Sequence, residues 1–242
     1  MPPTGKAMGI VGNGDQFHLD QNYGVLPQNR THLFNAAYHI DLPSPAKGKL
    51  AGEFVNGWQL SGITQLESGA NLWGYSNNQN FNVSWGGANI PGTTFGVTDD
   101  SILGTPDIRL NPLVTCNPRK GLGLHQFVNG NCFATPTVVG QNGPIVMPPL
   151  YGPAFFNWDM GVFKNFRITE SKSVEFRVNG YNWLNHPLWS FSSSTEANLT
   201  LSMDPTTYTA LHPNGSPVNQ LFGYATDRQG HRIIQFQFKF IF

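Results

Sequence analysis

The chain ends in R-I-I-Q-F-Q-F-K-F-I-F, residues 232–242. Successive side chains of an extended strand point to opposite sides. Ile234, Phe236, Phe238, Phe240 and Phe242 therefore share one face, and Gln235, Gln237 and Lys239 share the other. Two environments accept such a strand. Between two packed sheets the aromatic row would be core. In a bilayer, a tilted strand of about 9–11 residues crosses the hydrocarbon, with its aromatic face on lipid and its polar face on a wet lumen.

Four more segments alternate in the same way. In 31–42, Phe34, Ala36, Tyr38, Ile40 and Leu42 oppose Asn35, Ala37, His39 and Asp41. Pro43 and Pro45 stop that strand, since proline cannot donate to a ladder. In 57–68, Trp58, Leu60, Gly62, Thr64 and Leu66 oppose Gln59, Ser61, Gln65 and Glu67, with Ile63 out of pattern. In 156–168, Phe156, Trp158, Met160 and Val162 oppose Asn157, Asp159, Gly161 and Asn165. Phe163 breaks the polar side. Lys164 interrupts the apolar side near its end, where an ammonium can reach a head-group layer. In 173–184, Val174, Phe176 and Val178 oppose Glu175, Arg177 and Asn179. Gly180 then falls on the apolar side and Tyr181 and Trp183 on the polar one, a change of phase that a bulge at Gly180 or a frayed strand end would produce.

The links between these strands carry the next inference. Counted back from Phe242 they run long (185–231), short (169–172), long (69–155) and moderate (43–56). Outer-membrane barrels alternate short periplasmic turns with long extracellular loops. If the last strand runs inward, both long links lie outside and both shorter ones inside. A sandwich has no reason to obey that parity. The expected fold is all-β: an open, antiparallel transmembrane barrel segment of about five long strands with long extracellular loops. The smallest such barrels need about eight strands, and hydrocarbon does not tolerate an open sheet edge. Residues 1–242 are thus expected to be the C-terminal sector of a larger barrel, with 1–30 the remnant of an extracellular loop. The N-terminus, M-P-P-T-G-K-A-M-G-I-V-G, lacks the apolar core of a signal peptide, which fits a natural start further upstream.

Composition agrees. Charged residues make up 12% and aromatics 13%, beside 27 Gly and 18 Pro, a mixture that suits strands joined by long loops. Formal net charge is zero, which removes a basic field for nucleic acid or anionic lipid. No apolar run approaches the ~20 residues of a membrane helix. Cys116 and Cys132 lie in a polar, Gly/Pro-rich stretch without strand pattern, and their local spacing points to one loop-closing disulfide in an oxidising compartment.

The residues offer no catalytic constellation, so no enzyme is expected. The seven His are scattered, without H-x-x-x-H or another ligand spacing. Acidic residues are few and show no facing pair. G-N-G-D-Q-F (12–17) lacks the third glycine and the preceding strand of a dinucleotide loop, leaving no cofactor or metal to expect. On the barrel reading the polar faces offer His39, Asp41, Gln59, Glu67, Asp159, Glu175, Arg177, Gln237 and Lys239 as lumen-lining groups, with Glu175–Arg177 and His39–Asp41 as pairs. The opposite faces offer Phe34, Tyr38, Ile40, Trp58, Leu60, Trp158, Met160, Val174, Phe176, Phe236, Phe238 and Phe240 as a lipid-facing band with aromatic girdles. In the long links, short strands are possible at 81–85 and 135–139. Trp73, Tyr75, Trp85 and Phe95 there either form a ligand-capturing surface or pack the loop on itself.

Several pieces resemble, in order, the C-terminal part of TonB-dependent outer-membrane receptors of the Oar-like type, which carry a carboxypeptidase-regulatory-like domain at their other end. The pieces are N-R-T-H-L-F-N-A-A-Y (29–38), G-W-Q-L-S-G-I-T-Q-L-E-S-G (57–69), G-P-A-F-F-N-W-D-M-G-V-F-K-N-F-R-I (152–168), V-E-F-R-V-N-G-Y-N-W-L-N-H-P (174–187) and the terminal 232–242. The resemblance implies a plugged barrel of about 22 strands in the outer membrane of a Gram-negative bacterium. It implies uptake of a bulky ligand, powered through a TonB complex that engages N-terminal parts absent here. It also implies that Ile234, Phe236, Phe238, Phe240 and Phe242 form the signal read by the barrel-assembly machinery. A piece without plug or TonB box would not transport on its own, and the ligand is not named by these residues. The alternative is a secreted β-sandwich that binds carbohydrate or a cell surface. The two part on Phe34, Tyr38, Phe236 and Phe240, which form one outward band in a barrel and converge on each other in a sandwich.

Overall fold

The structure is a computed structural model that describes residues 25, 29–72, 82–144, 150–191 and 196–242. In chain order its elements are β1 (Leu33–Asp41), α1 (Lys49–Val55), β2 (Trp58–Glu67), β3 (Asn82–Ser84), α2 (Asp99–Leu103), β4 (Leu113–Val114), β5 (Phe133–Ala134), β6 (Phe155–Arg167), β7 (Ser173–Tyr181), β8 (Leu188–Ser190), β9 (Thr200–Ser202), β10 (Asp227–Gln229) and β11 (Ile233–Ile241). They form two compact units. One comprises 30–68, 154–189 and 228–242, and the other is built chiefly from 69–153 and 190–227.

The first unit is a five-stranded sheet in the order β1-β2-β6-β7-β11. Every neighbouring pair is antiparallel, and β1 and β11 are its two open edges. Residues directly opposite each other in a ladder put their side chains on the same face. Ile40, Leu60, Val162, Val178 and Phe236 form one continuous row across all five strands. Trp58, Lys164, Phe176 and Phe238 form another. Each β11 residue is exposed, so nothing packs the Phe strand into the core that a sandwich requires. Glycine makes room within the apolar face: a Cβ on Gly62 would come 2.3 Å from the Tyr38 hydroxyl, which accepts a hydrogen bond from the Trp158 indole.

Two sequence expectations change here, and one open alternative is decided. The 43–56 link is not a plain connection but contains α1. Asn56 braces it, accepting from the Ala46 amide at 3.0 Å and donating to the Ala46 carbonyl at 2.9 Å. Lys164 does not reach out to a head-group layer. It is 4% exposed, donates to the Asn56 carbonyl and lies 5.0 Å from the Phe166 ring centre. The reason is α1, whose Phe54 ring sits 6.1 Å from Phe166 and whose Phe54 carbonyl accepts from the Trp58 indole at 2.8 Å. Finally, β7 has no bulge at Gly180. Its pairing with β11 continues unbroken to Tyr181↔Ile233, and the strand then stops. Asn182 turns the chain with φ 48°, and Trp183 folds back over Gly180, where a Cβ would lie 2.0 Å from the indole. Buried Asn182 has the hydrogen-bonding capacity for that turn. Its amide N–H donates to Asp159 Oδ1 at 2.8 Å, its side chain donates to the carbonyls of His186 (2.9 Å) and Gly230, and its Oδ1 accepts from the His186 amide.

The second unit replaces the expected structureless loops with a folded body. Leu72, Val128, Phe133, Leu150, Leu201, Met203, Ala210 and Phe222 make its main core, with Trp85, Phe127 and Phe191 against it. Ala88, Val97, Ile102 and Leu110 make a second cluster. The two long links are joined by parallel pairing of β3 with β9, Asn82↔Thr200 to Ser84↔Ser202. The second short strand is Phe133–Ala134, not 135–139, and it pairs with β4. Thr98 caps α2 by accepting from the Ser101 amide, and Gly104 ends it at φ 73°. A disulfide joins Cys116 to Cys132. Asp204 accepts from the Thr206 and Thr207 amides and lies 2.8 Å from His212 Nδ1. The His212 contact first, then the two amides, holds its carboxyl below the usual aspartate range.

Replacing both cysteines by serine should cost this unit about 2–4 kcal/mol, because the cross-link limits the unfolded loop. Urea titration would measure the loss, and faster tryptic cleavage at exposed Arg119 and Lys120 should accompany it. Since the Asp204 pKa is lowered, its stabilising contribution is complete above the ordinary value of 3.8 and is lost as pH falls through the lower folded value. Asp204→Asn should therefore be less stable at neutral pH and show a flatter stability profile below about pH 4. Thermal unfolding at a series of pH values checks this.

Candidate functional site

The register that unites the apolar residues also unites the polar ones. Asp41, Gln59, Phe163, Arg177 and Gln237 form a row across all five strands. His39, Ser61, Gly161, Asn179 and Gln235 form the next, and Asn165, Glu175 and Lys239 a shorter one. Glu67 and Asp159 lie on the same face, opposite Leu33 and Ile63 in their ladders. All nine residues named from the polar alternation are thus on one side of the sheet.

They do not form one cluster. Gln59 Nε2 donates to Asp41 Oδ1 at 2.7 Å, and His39 Nε2 is 3.8 Å from the same oxygen. Arg177 Nη2 meets Glu175 Oε1 at 3.1 Å. Glu67 pairs with Arg30 at 3.6 Å. The carboxylate of Asp159 is committed to the Asn182 turn and so positions backbone. Phe163, which broke the sequence pattern, has a purpose that alternation could not reveal. Its ring lies 4.9 Å from the Arg177 guanidinium carbon and 5.7 Å from the His39 ring, a flat support for two cationic or potentially cationic groups. A shallow concavity of about 490 Å³ opens on this side, with Ala37, Ser61, Ile63, Asp159, Arg177 and Asn179 in its lining. Gly161 keeps its floor low, since a Cβ there would come 2.6 Å from Asn179 Oδ1.

The other side is apolar and largely uncovered. On the edge strands Phe34 is 54% exposed, Ile40 48%, and Phe236, Phe238 and Phe240 66–68%. Ile234 and Phe242 are exposed as well. Tyr38, Leu60, Trp158, Met160 and Val174 are half-buried between neighbouring strands. Trp58 and Phe176 meet edge to face at 6.4 Å, and Phe176 lies 5.0 Å from Phe238. An exposed apolar patch of this extent is not tolerated in water and marks contact with a membrane or a partner. A sheet polar on one side and with an uncovered apolar face on the other has the two surfaces of a membrane-barrel wall.

Residues 4–235 match the family model of the outer membrane beta barrel domain. The chain belongs to that family. No curated protein and no solved structure matches it. The outer-membrane β-barrel domain is located in the outer membrane, and its main sheet is antiparallel with open edges. Among the loop aromatics, Trp85 packs against both core clusters of the second unit, while Phe95 is 69% exposed. Trp73 and Tyr75 lie outside the described residues.

The faces make opposite demands on substitution at adjacent positions. Phe236→Arg should lower assembly into the outer membrane, at a cost of about 2–4 kcal/mol if the position lies near the bilayer midplane, whereas Gln237→Arg should be close to neutral. Heat-modifiable mobility of the membrane-extracted protein on SDS gels distinguishes the two.

Proposed function

We propose that this outer-membrane β-barrel domain is a wall sector of a TonB-dependent receptor that takes up a bulky ligand. The observation that carries this is the unbroken polar row Asp41–Gln59–Phe163–Arg177–Gln237, backed across all five strands by the apolar row Ile40–Leu60–Val162–Val178–Phe236. The apolar row faces lipid and the polar row lines the lumen, where Arg177, Glu175, Lys239 and His39 touch passing solute or the plug. Both long links leave the sheet at the same ends of their strands, the ends that the alternation of short turns and long loops puts outside the cell.

The sector works within a larger barrel. Strands β1 and β11 are first and fifth in an alternating sheet, so they run in the same direction. An antiparallel barrel with an even strand number closes between them only through an odd number of further strands. The terminal strand is the element engaged by the barrel-assembly machinery, and the TonB complex supplies the energy for uptake. The sector by itself has no closed lumen and does not transport. Its role is non-catalytic.

Two measurements on the full-length gene product in intact cells test this. Val139→Cys, at a position 71% exposed, should react with a membrane-impermeant maleimide from outside. Site-specific photo-crosslinking should trap the periplasmic domain of TonB on the protein. Protection of the cysteine would overturn the extracellular placement, and absence of any TonB adduct would overturn the receptor assignment.

A further inference from the structure

The second unit carries an open cavity of about 180 Å³ between its two long links. Gln126, Asn129 and Asn131 line it from one link, and Asn219, Gln220 and Tyr224 from the other, above Leu201, Ala210 and Phe222. None of the lining residues is charged. Three of the amides hold the wall in place. Gln126 accepts from the Gly123 amide at 2.8 Å and donates to the Val128 carbonyl at 3.1 Å. Asn129 accepts from the Asn131 amide and donates to the Lys120 carbonyl. Asn219 accepts from the Leu221 amide at 3.0 Å and donates to the Thr200 carbonyl at 2.8 Å. The disulfide Cys116–Cys132 closes the segment that supplies the first wall.

Exposed Asn131 and Gln220 and the half-buried Tyr224 present side-chain groups that no other described residue engages. Each both donates and accepts. No counter-charge awaits an anionic or cationic ligand here, and a purely apolar one would displace water from the amides without replacing its hydrogen bonds. The chemistry that fits is a neutral molecule with adjacent hydroxyls, each able to give and take a hydrogen bond. Size narrows it further. At about 30 Å³ of liquid volume per water, the cavity holds roughly six waters, a space that one hexose ring can occupy. The Tyr224 ring adds an apolar flank for the C–H face of such a ring.

We propose that this cavity is a binding site for a neutral monosaccharide unit, as the terminal residue of a glycan. It does not depend on TonB coupling, because the site lies wholly within the second unit. Saturation-transfer NMR and calorimetric titration of the full-length protein in detergent micelles would use the methyl glycosides of glucose, galactose, mannose and N-acetylglucosamine, with methyl glucuronide as the charged comparator. At least one neutral glycoside should bind saturably, and the double variant Asn131→Ala/Gln220→Ala should weaken it about tenfold, the loss of two ordinary hydrogen bonds. Thr105→Ala, elsewhere in the same unit, should leave binding unchanged, and near-UV circular dichroism should show the double variant folded. Reduction of the disulfide should weaken binding as well. The proposal is overturned if no neutral glycoside binds, if binding survives the double variant, or if the glucuronide binds as tightly. If the double variant does not fold, Tyr224→Phe decides on the same terms, because it removes only a hydroxyl.

Discussion

Register is the constraint on which the sheet depends. With a side-chain period of two, a slip of one residue moves a whole strand's apolar set to the opposite face. Were β7 shifted by one against β6, Val174, Phe176 and Val178 would enter the polar side and Glu175 and Arg177 the apolar one. The observed ladders avoid this at each of the four seams, Ile40 through Phe236 on one side and Asp41 through Gln237 on the other. Four consistent registers turn five amphipathic strands into a wall with two different surfaces. The wall's buried cation, Lys164, is tolerated because α1 and Asn56 supply an acceptor and Phe166 a ring face beside it.

The second unit obeys different physics. Its residues show no period because its strands are two or three residues long and most of its chain is turns. Order there comes from burial of scattered apolar side chains and from covalent and polar fastenings. Phe133 and Leu150 are completely buried although neither lies in an alternating segment. Gly223 illustrates the tolerances: at φ 81°, a Cβ would come 2.2 Å from the Val128 carbonyl oxygen. The disulfide, the Asp204–His212 contact and the β3–β9 pairing hold distant segments together without regular structure.

Local chemistry and tertiary placement combine where the sequence pattern breaks. Phe163 sits on the polar side, where Arg177 and His39 lie against its ring, and Asp159, on the same side, holds the Asn182 turn. Neither partner is near in sequence. Arg177 is fixed at Phe163 only through the β6–β7 register, and Asn182 is brought to Asp159 by the same hairpin. The break at Phe163 thus marks a position where side chains serve one another across strands.

By itself the sequence determined the all-β class, the five long strands and the two faces of each, because alternation is a local property that every strand writes into its own residues. Strand ends were legible to within two positions, except where Asn182 and Trp183 ended β7 three residues early through a left-handed turn. Only the tertiary structure decided that Lys164 is covered, that 43–56 contains a helix, and that the two long links fold into one body with a core and a cavity. These depend on contacts between residues far apart in the chain, which no periodicity encodes. The physical reason is range: a pleat fixes the direction of the next side chain, whereas a core residue such as Phe222 is defined only by whatever comes to surround it.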